Sequence, residues 1–188
     1  MDAIEIFYAC YGVALALAFA KVLAGAARLI SHRKTIRIGW ATPLLMLLLL
    51  CDVASAVTSA WRNLGVADVG VRLVLASLLA AGAYYVTASL VVPEDLAEGA
   101  DLDAWFHDNK RFMAGGLLAA NLLGFEVVQS LIKGPGEMLA GRWTGFSGVM
   151  NLVFYALVLV LMVVRNRVTE LVMLATLNAI YVLVLLVF

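Results

Sequence analysis

The sequence predicts an all-α bundle of six helices embedded in a membrane, and three observations carry that prediction. Of the 188 residues, 64% are hydrophobic and only 14% are charged, with a mean hydropathy of +1.01. A water-soluble domain of this size has no interior large enough to hide so much apolar surface. Apolar stretches long enough to cross about 30 Å of hydrocarbon, which takes roughly 20 helical residues, recur along the whole chain. They show no period-two alternation, so they read as helices and not as barrel strands.

The predicted spans are Ile4–Ile30, Ala41–Trp61, Val66–Val92, Arg111–Ile132, Phe146–Val164 and Val168–Phe188. The first is too long for the apolar region of a signal peptide, and no small-residue cleavage site follows it, so it is kept as a helix. It carries a stripe of small residues, Gly12, Ala16, Ala20 and Ala24, of the kind that lets helices approach closely, either within the chain or in a homo-oligomer. The second carries seven unbroken apolar residues, Leu44 to Leu50, before Cys51 and Asp52. A few residues, RNLGVAD, turn it back into the third as an antiparallel hairpin.

Pro93 stops the third helix, and the longest polar piece, residues 93–110, follows. Asp101 or Asp103 can cap a short interfacial helix there, aiming Leu102, Trp105 and Phe106 at the membrane and leaving Lys110 and Arg111 among headgroups. The acids of this loop, with His107, suggest a cation site only superficially, since their spacing matches no calcium loop. The connection KGPGEMLAGRWTG, with Pro135, reads as irregular, and RNR as a tight turn before the last helix. With such short connections the whole of residues 1–188 reads as one domain.

Charge distribution sets the expected orientation. Arg28, Arg33, Lys34, Arg37, Lys110, Arg111, Arg165 and Arg167 flank the odd-numbered connections, against Arg62, Arg72, Lys133 and Arg142 on the even-numbered ones. Eight against four predicts odd connections in the cytoplasm and both termini on the non-cytoplasmic side. A net charge of zero gives no footprint for nucleic acid. Cys10 and Cys51 form no pattern for a disulfide or a metal, and read as small buried hydrophobes.

The residues that point to function are the polar ones at bilayer depth, where a charge costs about 2.5–3.5 kcal/mol on insertion scales. Counted inward at about 1.5 Å per residue, Lys21 lies roughly 13 Å and Asp52 roughly 16 Å from the cytoplasmic ends of their helices. An ion pair between them is the expected centre. Asn121, Asn178 and Tyr84 come out at roughly 12–15 Å, which predicts a polar cluster around the pair. Outward of it, Asp52, Ser55, Ser59 and Arg62 share one face of helix 2, and Glu126, Gln129 and Lys133 one face of helix 4. The implied picture is a polar vestibule closed on the inside by leucines. Asn151 lies nearer the outside, and Glu126 is expected to snorkel with Lys133.

Motifs of intramembrane enzymes are missing: no GxS, no HExxH, no CxxC and no Gly-rich phosphate loop. The two histidines, His32 and His107, fall in cytoplasmic loops, which excludes a bis-histidine haem within the bilayer. The last helix has no lysine for a retinal Schiff base. No catalytic residue, cofactor or metal is expected.

LALAFAKVLAGAARLI in helix 1 and DLDAWFHDNKRFMAG before helix 4 resemble segments of small uncharacterised bacterial six-helix inner-membrane proteins. The resemblance implies a multi-pass protein of the bacterial inner membrane and no particular activity. Two functional readings stay open. One is a small transporter, channel or proton- or ion-coupled protein with its site at Lys21, Asp52, Ser55, Tyr84, Asn121, Glu126 and Asn178. The other is a non-catalytic scaffold or subunit of a larger membrane complex, whose polar residues serve helix packing.

Overall fold

The computed structural model describes residues 3–62, 69–134 and 146–187. Helices α1 (Ala3–His32), α2 (Ala41–Arg62), α3 (Val71–Val91), α4 (Leu102–Lys133), α5 (Phe146–Val163) and α6 (Arg167–Val187) make up an all-helical bundle among these residues. Four of them, α1 to α4, are long and apolar enough to cross a membrane. The RNLGVAD turn beyond Arg62, and the Pro135 connection with Arg142 and Trp143, lie outside the described residues.

One face of α1 is buried: Tyr11, Leu15, Ala18, Val22 and Leu29 recur at spacings that fall on a single helical side. It packs on α3 and α2. The small residues that allow close approach sit on α3, where Ala76, Ala80 and Ala88 share one buried face with Tyr84. The α1 stripe does not serve this contact: Ala16, Ala20 and Ala24 are exposed, and a side chain at Gly12 would meet open space. On the other flank, α5 packs on α4 and α6, and α6 on α2.

The short helix expected before the fourth span is the start of α4. Asp101 accepts from the Ala104 N–H at 3.1 Å and starts α4, which then runs without a break to Lys133. Leu102 and Phe106 are each 1% exposed and belong to the core. Asp103, the other candidate cap, serves a different helix: its Oδ1 accepts from the Ala41 N–H at 3.1 Å, capping α2 from outside. Gly39 makes this possible. Its φ of 62° is costly for any other residue, and a Cβ there would collide with the Asp103 carboxyl.

The loops at this end are zipped together. Arg37 N–H donates to Ala100 O at 2.9 Å, Leu102 N–H to Arg37 O at 3.0 Å and Gly99 N–H to Thr35 O at 2.7 Å. Trp105 Nε1 donates to Leu90 O at 3.1 Å, and Arg111 Nε to Met162 O at 3.2 Å. The α1–α2, α3–α4 and α5–α6 connections therefore meet at one end of the bundle.

Candidate functional site: a buried carboxylate among four helices

On α2 the buried residues Leu45, Leu48, Leu49, Asp52, Val53 and Ala56 face inward, and Asp52 is 0% exposed. Asn121 Nδ2, from α4, donates to its Oδ2 at 2.5 Å and also to Leu117 O at 3.0 Å. Tyr181 Oη, from α6, donates to Oδ1. Tyr84, from α3, brings its buried hydroxyl beside the same carboxyl, though no hydrogen bond to it is formed. Four helices thus converge on one acid, through an amide and two phenols.

The expected ion pair is not there. Lys21 Nζ bonds Glu94 Oε1 at 2.7 Å instead. The depth count started from the wrong origin. Val92 packs against Gly25, where an added Cβ would lie 3.2 Å from the valine, so α3 ends alongside Gly25 while α1 continues to His32. On this flank the polar boundary lies about one turn from Lys21, and the lysine reaches outward to the loop. The Glu94 carboxyl is held below the usual carboxylate range by the hydrogen bond and charge of Lys21, with Arg28 adding to it.

Beyond Asp52 the two polar faces meet again. Gln129 Nε2 donates to Ser59 Oγ at 2.7 Å. From Asp52 to Ser59 is seven residues, which at about 100° each returns a regular helix to nearly the same direction. From Asn121 to Gln129 is eight, which would leave Gln129 about 80° off. The chain absorbs the extra residue in a wider π-helical stretch, Leu122–Val128, between the two contacts. Such wide turns are frequent at functional sites. Glu126 lies in this stretch and accepts from Tyr155 Oη at 2.9 Å, a partner on α5 rather than the expected Lys133.

A cavity of about 80 Å³ lies behind the two donors of Asp52, bounded by Ser55, Asn121, Phe125, Asn151, Phe154 and Tyr181 among others. Both donors that hold Asp52 form part of its wall. It has room for more than one water, each of which needs polar partners such as these.

Of the residues expected at the centre, the structure brings together Asp52, Asn121 and Tyr84, with Ser55 on the cavity wall and Glu126 on the adjoining π turn. Lys21 goes to Glu94. Asn178 sits apart, donating to Leu44 O at 2.9 Å and Leu174 O at 2.8 Å. Tyr181 was the omission, and its spacing of three from Asn178 on one helix face was the available signal.

A second buried polar group lies at the end where the loops meet. Lys110 Nζ bonds Glu170 Oε1 and Val164 O, and His107 Nδ1 lies 2.8 Å from the same Glu170 oxygen. Lys110 and Glu170 are 5% and 2% exposed, so Lys110 is not a headgroup residue. Glu170 drew no attention in the sequence because an acid in the first turn of a helix normally serves the helix dipole.

Fold and site together define an all-helical bundle of apolar helices built around an internal carboxylate. Comparison with known family models, with curated proteins and with solved structures finds no match for the chain.

Proposed function

We propose that this is a multi-pass protein of the bacterial inner membrane, and a small transporter, channel or proton- or ion-coupled protein whose site is Asp52 with its Asn121, Tyr181 and Tyr84 surround. The observation that carries the reading is a fully buried carboxylate served by neutral donors, with its nearest expected cation committed elsewhere. Among the described residues no cation pairs with Asp52, and a buried anion without a counter-charge is strongly disfavoured. Binding a proton or a small cation supplies the missing charge, and releasing it is the elementary step of coupled transport. The adjoining cavity gives such a species a polar neighbourhood.

Membrane placement is supported by helix length and by the many large apolar side chains that face outward, such as Val13, Leu17, Leu79 and Val163. The positive-inside rule puts the zipped loop end in the cytoplasm and both termini on the other side. The outward-facing stripe Gly12, Ala16, Ala20 and Ala24 leaves α1 open to a second copy or another membrane subunit. The alternative is a scaffold or accessory subunit, favoured by the Asn178 tie to Leu44 O, which joins α6 to α2 with no link to the carboxylate.

Flux decides between them. In liposomes under a proton, sodium or potassium gradient, the parent protein is expected to dissipate at least one gradient. Asp52→Asn should abolish that flux while the protein still folds, and Lys21→Met should leave it. A parent protein that dissipates none of these gradients would favour the scaffold reading, and flux that survives Asp52→Asn, with only the melting temperature lowered, would remove Asp52 from the transport site.

A further inference from the structure

We propose that the groove between α1 and α2 binds an anionic phospholipid of the cytoplasmic leaflet, one acyl chain lying in the groove and the phosphate held by Arg33 with Lys34 and Arg37. The proposal rests on the membrane reading and is independent of Asp52. The groove is an open depression of about 370 Å³ walled by apolar side chains, Val22, Leu29, Met46 and Leu50 among them, with Arg33 the one charged residue on its wall.

Its length fits one leaflet. From Val22 to Arg33 is eleven residues, about 16 Å along α1, against about 15 Å for half of a 30 Å hydrocarbon layer. An acyl chain starting at Arg33 can therefore run the length of the groove, to its end beside Val22 and Leu50.

Charge selects the headgroup. Arg33, Lys34 and Arg37 are all exposed. Arg33 gives one N–H to Ile30 O at 3.0 Å, and none of the three is in an ion pair among the described residues. On the adjoining loop, Asp101 and Asp103 serve as helix caps. Arg33 on the wall of the groove, with Lys34 next to it in sequence and Arg37 in the same loop, favours a phosphate that carries net negative charge over a zwitterionic headgroup.

Native mass spectrometry of the full chain in detergent, with phosphatidylglycerol and phosphatidylcholine of identical acyl chains, tests this. The parent should retain phosphatidylglycerol in preference. Arg33→Gln and Lys34→Gln should each lower that preference about fivefold. Leu47→Trp, which fills the groove from an exposed position on its wall, should lose both lipids. Equal retention of the two lipids by the parent, or displacement of phosphatidylglycerol by inorganic phosphate, overturns the proposal. Alkaline carbonate treatment of cell membranes separates the two failures. A chain released from the membrane defeats the membrane reading itself, whereas one that stays but shows no anionic preference defeats only the groove.

Discussion

Asn121 Nδ2 lies 2.5 Å from Asp52 Oδ2, and this contact fixes the level at which α2 and α4 lock together. Replacing Asn121 by leucine leaves a buried carboxylate oxygen short of a donor, at a cost of about 1–3 kcal/mol. In an Asp52→Asn background the same replacement should cost less, with a coupling of about 0.5–3 kcal/mol. Unfolding in detergent of the parent, both single variants and the double variant measures it. Strict additivity would mean that the contact contributes nothing.

The π stretch of α4 makes a prediction about chain length. Deleting Val127 shortens the Asn121–Gln129 interval to seven residues, matching Asp52–Ser59, so a regular helix would keep both contacts. Stability should change by no more than about 1 kcal/mol. Deleting the equally exposed Ala54 from α2 has no wide turn to absorb it. It rotates Ser59 by about 100° away from Gln129 and should cost more than the 1–3 kcal/mol of about one lost buried hydrogen bond. Melting temperatures of the two deletions should rank in that order.

Lys110 and Glu170 are mutually dependent. Lys110→Met strands a buried carboxylate beside His107 and should destabilise by about 3–5 kcal/mol. The double variant Lys110→Met, Glu170→Leu removes both charges and should recover most of that loss. A double variant no more stable than Lys110→Met alone would show that the pair is not what holds α4 to α6.

The Lys21–Glu94 pair lies at the surface and should act through pH. The folded-state pKa of Glu94 is lowered by Lys21, so its contribution is present above the ordinary carboxylate range and is lost as pH falls through the lowered value. A small stability gap between the parent and Glu94→Gln is therefore expected near neutral pH, closing in strong acid and shrinking with added salt. Thermal melts across pH and ionic strength would reveal it. A gap that widens in acid would contradict the assignment.

Hydropathy and charge made the helices and the exceptional position of Asp52 legible, because a carboxyl among leucines has few uses. Its partners were harder to read. Counting residues gives a depth but not a direction, and the depth of Lys21 depended on where its neighbour α3 stops. The eight-residue interval on α4 looked out of phase with α2, since a wide turn leaves no mark in composition. Asn121 and Tyr84 were found because they are polar at the right level. Tyr181 was missed because a tyrosine in an apolar helix passes as bulk.

The short turn between α5 and α6 is fastened by Lys110 to Val164 and Glu170, and by Arg111 to Met162. That fastening would make this end a pivot. With one end pinned, α5 and α6 can part from α2 and α4 only by splaying at the opposite end. The cavity behind the donors of Asp52 lies on the seam that would open, where Tyr181, Asn178 and Tyr155 make the polar contacts of the moving pair. Access to the carboxylate would then come from one side of the bundle, set by where the bolt is placed.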